Sequence, residues 1–509
     1  MAAPLSPALV FIGFMAAGKS TAALEAAAAL GVAAADSDEL LERELGTTIP
    51  EFFDREGEPA FRAAEERLVT HLLDHADGGV IALGGGAILS ERTRAAVRRH
   101  TVVLIDVDLE TAWSRAAGEG RPLARDRDAF ARLFAARAAL YEAAADAVIP
   151  GTGDPHLVGR AVEALRAVPE GLMLLWATSA SGDYPVWIGA GAAERAPWPA
   201  PGRRFVVTDT TVAAAQADAV DEGRAAAVIA IPPGEEEKTL ATAERIWTGL
   251  VDAGATRADH VVGVGGGVVG DLAGFCAATY QRGVAVVHVP TTIVAQVDSA
   301  YGGKTGVDLP AAKNYVGAYH QPAGVLVDPG LLATLPPEER AAGYAEVVKT
   351  ALIAGGPLWE RVASGAPVDE AVIRACARTK LRVVAADERD GGLRQVLNLG
   401  HTVGHAIETT TGYARYRHGE AVGLGMLAAL RLSGLEDLRS QVAALLAAAG
   451  LPTRLDGADP DAVSAATARD KKRLGAEVPF VLVHAPGDVR HGAAVDPGEL
   501  RAAVRELTS

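Results

Sequence analysis

Cysteine is nearly absent, with two in 509 residues. Cys276 and Cys376 sit in apolar surroundings and form no C-x-x-C pair, which argues against a disulfide framework or a thiolate metal site and points to a reducing compartment. Aromatic residues are also few, at 5%. Basic residues are outnumbered, 48 Lys and Arg against 64 Asp and Glu, for a formal net charge of −16. Nucleic acid is therefore excluded as a partner, because counterion-releasing contacts need a basic face. A few convergent lysines and arginines can still reverse the field inside one cleft, so an anionic small molecule remains compatible. Residues 1–18 carry no charge. They lack a basic start, however, and Pro4 and Pro7 interrupt the run, so neither a signal peptide nor a membrane span is expected and the reading is cytoplasmic.

What remains is a globular chain, 49% hydrophobic and 22% charged, long enough for about three domains. Alanine-rich tracts such as Ala26–Ala29 lie within helical patterns, where alanine is the best former. The run Ala8-Leu9-Val10-Phe11-Ile12 reads as a buried strand, followed by Gly13 and a helical stretch from Thr21. Further strand runs at Gly79–Leu83 and Thr101–Ile105 alternate with helical patterns, predicting a parallel α/β unit that closes with a helix over Pro155–Val168. Val168–Gly171 reads as a linker. Strand character then restarts at Leu172–Ala177 and Tyr184–Ile188. Strands at Phe205–Thr208, Val228–Ile231, His260–Val264 and Val284–Val289 alternate with helices to about residue 330. Beyond Leu331 the pattern is mostly helical until Val478–His484. Three domains are expected, at 1–168, 172–330 and 331–509.

Gly13-Phe14-Met15-Ala16-Ala17-Gly18-Lys19-Ser20-Thr21 fits G-x-x-x-x-G-K-[ST] between a strand and a helix. Backbone N–H groups there wrap phosphates, Lys19 reaches the terminal phosphates and Ser20 offers a hydroxyl to Mg²⁺. Ala35-Asp36-Ser37-Asp38 places two carboxylates near the same sheet edge. One suits proton acceptance from a hydroxyl and the other Mg²⁺ through water, although a D-x-D also serves as a helix cap.

With Phe61-Arg62-x-x-Glu65, Gly84-Gly85-Gly86, Arg121-Pro122-Leu123 and Arg137-x-x-x-Tyr141, this segment resembles shikimate kinase over about its first 165 residues. The resemblance implies that Gly13, Ala16, Ala17, Gly18, Lys19, Ser20 and Thr21 bind ATP, that Ser20 and Asp36 hold Mg²⁺, and that Asp38 is the base. It further implies that Arg62 and Arg137 bind the shikimate carboxylate, that Gly85 touches shikimate, and that Arg121 lies on a lid over ATP. Lys19, Asp38 and Arg121 are the catalytic set. Two guanidiniums on one carboxylate fit recognition of an acid and not a neutral sugar, with a gluconate-type kinase, whose substrate is also an acid, as the nearest competitor. No arginine occurs at Gly151–His156, where the family often places one against adenine.

In the second half, Asn398–Glu408 carries His401 and His405 one turn apart, and His418 follows. Three histidines at this density suggest a divalent metal site needing one more carboxylate, and spacing does not say which two bind. Val264-Gly265-Gly266-Gly267-Val268-Val269-Gly270-Asp271 follows a strand and opens a helix, as a pyrophosphate site or a tight structural turn would. Arg282, Lys304, Lys313, Lys349, Lys380, Arg394, Lys471 and Lys472 are interleaved with glycine-rich or apolar segments and suggest an anion pocket.

Together with Gly234-Glu235-x-x-Lys238, Tyr280–Gly283, Pro290–Thr292, Gln296–Ser299, Gly302–Thr305, Lys313-Asn314, Ala345–Lys349, His418–Glu420 and Asp470–Lys472, these segments resemble 3-dehydroquinate synthase over about residues 172–509. The resemblance implies Zn²⁺ (or Co²⁺) on Glu346, His401 and His418, with His405 turned to the substrate phosphate. NAD contacts fall on Asp209, Glu235, Lys238, Gly266, Gly267, Val268, Val269, Gly270, Asp271, Thr291, Thr292, Lys304, Lys313, Leu331 and Thr334. Contacts to 3-deoxy-D-arabino-heptulosonate 7-phosphate fall on Arg282, Asp298, Lys304, Lys313, Asn314, Lys349, Lys380, Arg394, Asn398, His405, Lys471 and Lys472, with Lys304, Lys349 and His405 catalytic. The implied fold is α/β throughout: a P-loop kinase domain with helices on both faces of a parallel sheet, fused to a Rossmann-like NAD domain and a mostly helical metal-binding domain.

The implied reaction passes a hydride from C5 of the substrate to NAD, which acidifies C6–H and lets phosphate leave. The hydride then returns, the ring opens and an aldol step closes the carbocycle, so no net NADH forms. Departures from the family pattern are Ser299-Ala300-Tyr301 and Asp390, where Glu is frequent. The expectation is thus a two-activity enzyme, a phosphotransferase and a phosphate-eliminating lyase, acting on small molecules as a homodimer through the synthase part. A nucleotide-binding regulatory module fused to a related sugar-phosphate cyclase is the alternative.

Overall fold

The computed structural model describes residues 7–117, 124–220, 223–309, 312–467 and 479–508. In its first unit, which runs to Ala177 and includes Pro185–Trp187 and Arg195–Pro197, the strand Leu9–Ile12 is buried along its whole length. It lies in a parallel sheet between Val80–Ala82 and Thr101–Asp106, with Ala34–Asp36 outside the former and Ala147–Pro150, then Met173–Ser179, outside the latter. Strands with both faces covered read as unbroken apolar runs. Helix Lys19–Leu30 packs Ala22, Ala23, Ala26 and Ala27 inward, where small side chains allow close helix–sheet contact, and ends on Gly31 in the left-handed conformation.

In the second unit parallel strands run in the order Gly324–Val327, Ala285–Pro290, His260–Gly265, Arg204–Asp209, Ala225–Ile231. Its core lies against helix Gly267–Thr279, around Val269, Leu272, Ala273 and Phe275. After residue 331 come helices Pro337–Ala354, Glu370–Ala386, His401–Thr410 and His418–Leu432. The same unit holds two antiparallel hairpins, Lys304–Leu309 with Ala312–Tyr319 and Phe480–Ala485 with Asp488–Ala493. No described helix is long and apolar enough to cross a membrane.

Glycines let the ligand-bearing helices touch at backbone level. A Cβ on Gly419 would stand 1.9 Å from the carbonyl oxygen of Ala342, and one on Gly425 would stand 1.9 Å from that of Gly400.

Candidate active sites

In the first unit the chain leaves strand Leu9–Ile12 and turns through Gly13, Ala16 and Gly18, all with positive φ, into helix Lys19–Leu30. The helix start has no side-chain cap, so its N–H groups face outward with the positive end of the dipole. Lys19 Nζ donates to the carbonyl of Phe14 within the same loop at 3.1 Å. Ser20 Oγ donates to Asp36 Oδ2 at 2.6 Å, and Asp36 Oδ1 accepts from the backbone of Asp38 at 2.9 Å. Asp36 is therefore both the end of its strand and the cap of helix Ser37–Leu45. Asp38 lies in that helix's first turn.

Three predicted side chains converge on Gly84–Gly86. A Cβ on Gly84 would meet Asp38 Oδ1 at 2.3 Å, and one on Gly86 would meet Arg62 Nη1 at 1.9 Å. Arg137 Nη1 donates to the carbonyl of Gly85 at 3.3 Å, while its buried Nε has no hydrogen-bond partner. Glu65 accepts from Arg62 at 2.6 Å. Burial raises the Glu65 carboxyl against the pull of Arg62, and burial pushes the Tyr141 hydroxyl, which donates to Gly85, up to about 12. Glu65 is a site residue that sequence reasoning quoted but gave no role. Its signal was the R-x-x-E spacing, which puts both groups on one helix face. Arg115, not the 151–156 stretch itself, brings a guanidinium to that loop, donating to the carbonyl of Gly151 at 3.0 Å. Arg121 lies outside the described residues.

In the second unit, helix Gly267–Thr279 starts beside strand His260–Gly265 and has no side-chain cap. The buried hydroxyl of Thr291 beside it has no hydrogen-bond partner. Lys238 pairs with Asp271 at 2.5 Å and donates to Asn314 at 2.6 Å. Asp209 caps helix Thr210–Ala215. Gln216 donates to the hydroxyl of Thr334 and the carbonyl of Leu331.

Glu346, His401 and His418 bring one ligand atom each to within 4.8 Å of the others. Glu346 Oε1 is buried, makes no hydrogen bond, and faces His418 Nε2 at 3.4 Å and His401 Nε2 at 3.8 Å. The other oxygen pairs with Lys349. Lys349 also reaches Asp298 at 2.7 Å, and Lys380 joins the same carboxylate from the opposite helix. A π-helical turn, Ala295–Ser299, presents Asp298 to both lysines. Burial lowers the Lys380 ammonium to about 8 despite Asp298, with Arg394 adding like-charge repulsion. Lys349, with a second carboxylate in Glu346, is held above the usual lysine range against the opposing effect of burial.

Lys304 pairs with Asp390 at 2.5 Å, and Asp390 takes a left-handed φ of 64°. Lys313 pairs with Glu235 at 3.3 Å and Glu408 at 3.1 Å. The amide nitrogen of Asn398 is buried and unpartnered. His405 and His401 meet edge to face at 5.4 Å between centroids. Arg394 is fully buried and donates to the carbonyls of Gly302 and Glu388, so its visible work is to hold the Gly302 turn. Arg282 is exposed at the start of the strand whose far end precedes Thr291, and the structure does not bring it to this cluster. Lys471 and Lys472 lie outside the described residues.

A phosphate loop facing an arginine pair, and a glycine-opened helix beside a carboxylate–histidine cluster ringed with lysines, define a two-part enzyme: a phosphotransferase joined to a metal-assisted enzyme for phosphorylated substrates. The comparisons give the particular family. The shikimate kinase model matches residues 15–166, and the 3-dehydroquinate synthase N-terminal and C-terminal models match 228–342 and 343–473. The 3-dehydroquinate synthase of Halorhodospira halophila is 43% identical over 340 residues, 62% of this chain and 93% of the relative. A crystal structure of 2-deoxy-scyllo-inosose synthase with carbaglucose-6-phosphate, NAD⁺ and Co²⁺ is 26% identical, covers 66% of this chain and 99% of its own, and superposes with a TM-score of 0.59. The 2-epi-5-epi-valiolone synthase of Streptomyces hygroscopicus, with NAD⁺ and Zn²⁺ bound, is 26% identical over 64% and 96% of the two chains, with a TM-score of 0.58. The chain belongs to the 3-dehydroquinate synthase family and carries a shikimate kinase domain ahead of the synthase.

Proposed function

We propose that residues 1–168 phosphorylate shikimate with ATP, and that residues 172–330 and 331–509 together convert 3-deoxy-D-arabino-heptulosonate 7-phosphate to 3-dehydroquinate and phosphate. The observation that carries the synthase reading is the Glu346–His401–His418 group set directly against Lys349, Asp298 and Lys380. The 43% identity to a synthase across 93% of its length favours this substrate over those of the 26% identical cyclases.

The donor set fits a divalent ion: a buried carboxylate oxygen without a hydrogen bond faces two imidazoles. An ion held there supplies Lewis-acid polarisation of the hydroxyl being oxidised. The uncapped helix start at Gly266–Gly267 and the unpartnered Thr291 hydroxyl fit a pyrophosphate, and bound NAD supplies a hydride acceptor that gives the hydride back. Lys349 and Lys380 place positive charge where a phosphate dianion must be held, with Asp298 fixing both ammonium groups. His405, one turn from His401, addresses the phosphate. Lys304, leaning on Asp390, and Asn398, with its unpartnered amide, orient the remaining oxygens.

In the kinase domain Ser20 and Asp36 fit Mg²⁺, and Lys19 neutralises charge on the transferred phosphoryl group. Asp38 takes the acceptor proton, while Arg62 and Arg137 fix the carboxylate of shikimate. The unit works in the cytoplasm, where its two unpaired, buried cysteines stay reduced, and pairs as a homodimer through the synthase part. Two substitutions test the assignment. Lys19→Ala abolishes shikimate-dependent ADP formation and leaves phosphate release intact, and His401→Ala does the reverse. Loss of both activities in either variant would overturn it.

A further inference from the structure

We infer that Glu408 is a positioning residue for the imidazole of His418, holding its Nδ1–H so that Nε2 is left for the metal; this rests on the metal set proposed above. Glu408 follows His401 and His405 on helix His401–Thr410, and positions i, i+4 and i+7 share one face. The H-x-x-x-H-x-x-E pattern therefore delivers a carboxylate to the same side as the two histidines. Glu408 has no part in any role assigned so far.

Its side chain is 2% exposed. Oε1 accepts from Lys313 Nζ at 3.1 Å. Oε2 makes no hydrogen bond and lies 3.6 Å from His418 Nδ1. The opposite ring nitrogen, Nε2, lies 3.4 Å from Glu346 Oε1. His418 thus stands between two buried carboxylates, each facing a different nitrogen. A neutral imidazole carries one N–H and one lone pair, and a ligand must offer the lone pair to the ion. If the proton sat on Nε2, Nδ1 would turn a lone pair toward an anionic oxygen and Glu408 Oε2 would keep no donor. With the proton on Nδ1, both ends are satisfied: Glu408 accepts it, and Nε2 faces the oxygen of Glu346 that the ion would share. Lys313 offsets the charge of Glu408, and the ring of Tyr413, 4.6 Å from Lys313 Nζ, covers that ammonium. Carboxylates behind ligating histidines fix tautomer and orientation in this manner.

A rival arrangement uses the same side chains, since His405, Glu408 and His418 also bring ligand atoms within 4.8 Å of one another. In that case Glu408 is itself a ligand of a second ion.

Zinc affinity by chelator competition and ions bound per chain, on the metal-stripped full-length protein, decide between these. Glu408→Gln weakens zinc binding about 10–100-fold and shifts the absorption spectrum of the Co²⁺-loaded protein. The wild type binds one ion per synthase part, and an unchanged far-UV circular dichroism spectrum and thermal unfolding profile of the full-length protein confirm that the variant is folded. An unchanged affinity and Co²⁺ spectrum in Glu408→Gln would overturn the inference, as would two ions per chain with one lost in the variant. Should that variant not fold, ¹⁵N-histidine spectra of the zinc-loaded wild type give the answer, with the His418 signal identified by its loss in His418→Asn. Nδ1 protonated and Nε2 metal-bound is the expected state, and the reverse contradicts the role. If His401→Ala binds zinc as tightly as the wild type, the metal reading itself fails. If His401→Ala loses the ion and Glu408→Gln keeps it, only the role of Glu408 falls.

Discussion

Replacing Gly419 with alanine would test whether backbone contact between helices sets the metal geometry. Gly419 follows His418 at the start of helix His418–Leu432, and Ala342 lies one turn before Glu346 in helix Pro337–Ala354. The added Cβ would stand 1.9 Å from the Ala342 carbonyl oxygen and 2.5 Å from its carbon, where ordinary contact begins near 3.4 Å. Both obstructing atoms are backbone, so relief requires the helices to part by about 1.5 Å, in an interior that is otherwise close-packed. Alanine's helix propensity returns at most ~1 kcal/mol, and overpacking costs about 1–3 kcal/mol, so a drop of a few degrees in Tm is expected. Metal affinity suffers more. Zinc bonds to N and O span about 2.0–2.2 Å and a functional constellation tolerates about 0.5 Å of displacement, whereas this substitution separates the elements bearing His418 and Glu346. Zinc Kd, measured by chelator competition, is expected to rise about 100-fold, with shikimate-dependent ADP formation unchanged. Wild-type zinc affinity in Gly419→Ala would refute the argument that this contact sets the ligand spacing.

Three further outcomes are expected. Because the Lys380 ammonium is lowered to about 8 by burial, its charge is present below that pH and lost above it. The kcat/KM for phosphate release therefore falls as pH rises through 8, and Lys380→Arg moves that limb upward by at least about one unit, since a guanidinium stays charged; an unmoved limb contradicts the assignment. Gly86→Ala places a Cβ 1.9 Å from Arg62 Nη1 and displaces the guanidinium, losing a charge-assisted hydrogen bond of about 1.5–3 kcal/mol. The KM for shikimate rises about 10–100-fold while that for ATP stays within about twofold, and equal effects on both would place Arg62 elsewhere. Asp36→Asn, which weakens the Ser20–Asp36 pair, raises the Mg²⁺ concentration needed for half-maximal kinase rate about tenfold without moving the KM for shikimate; an unchanged Mg²⁺ requirement counts against Asp36.

Both glycine turns were legible in sequence because each is contiguous: an unbroken apolar strand, a glycine turn, then a helix. The strands at Val80–Ala82, Thr101–Asp106, His260–Gly265 and Ala285–Pro290 fall on the predicted runs. The hairpin Lys304–Leu309 with Ala312–Tyr319 was not read as strands. Gly306 sits opposite Gly317 in its register, and a Cβ on Gly317 would lie 2.2 Å from the carbonyl of Thr305, so close approach replaces the apolar alternation that marks a strand. Asp488–Ala493 is polar and, among the described residues, pairs only with Phe480–Ala485, with none of its residues fully buried. Ala147–Pro150 was hidden by the alanine run of the preceding helix, Arg127–Ala144. In the sites, charged residues inside motifs could be singled out, but their partners could not. Lys349 with Asp298, Lys304 with Asp390 and Lys313 with Glu408 are separated by 51, 86 and 95 positions, and such pairings depend on tertiary placement that no local pattern encodes.

The most direct test of the synthase assignment is inorganic phosphate release from 3-deoxy-D-arabino-heptulosonate 7-phosphate with NAD⁺, before chelation, after chelation and after Zn²⁺ is restored. The account predicts release that is lost on chelation, returns with zinc and accumulates no NADH. No release from folded, zinc-loaded protein, or release indifferent to chelation, would contradict it.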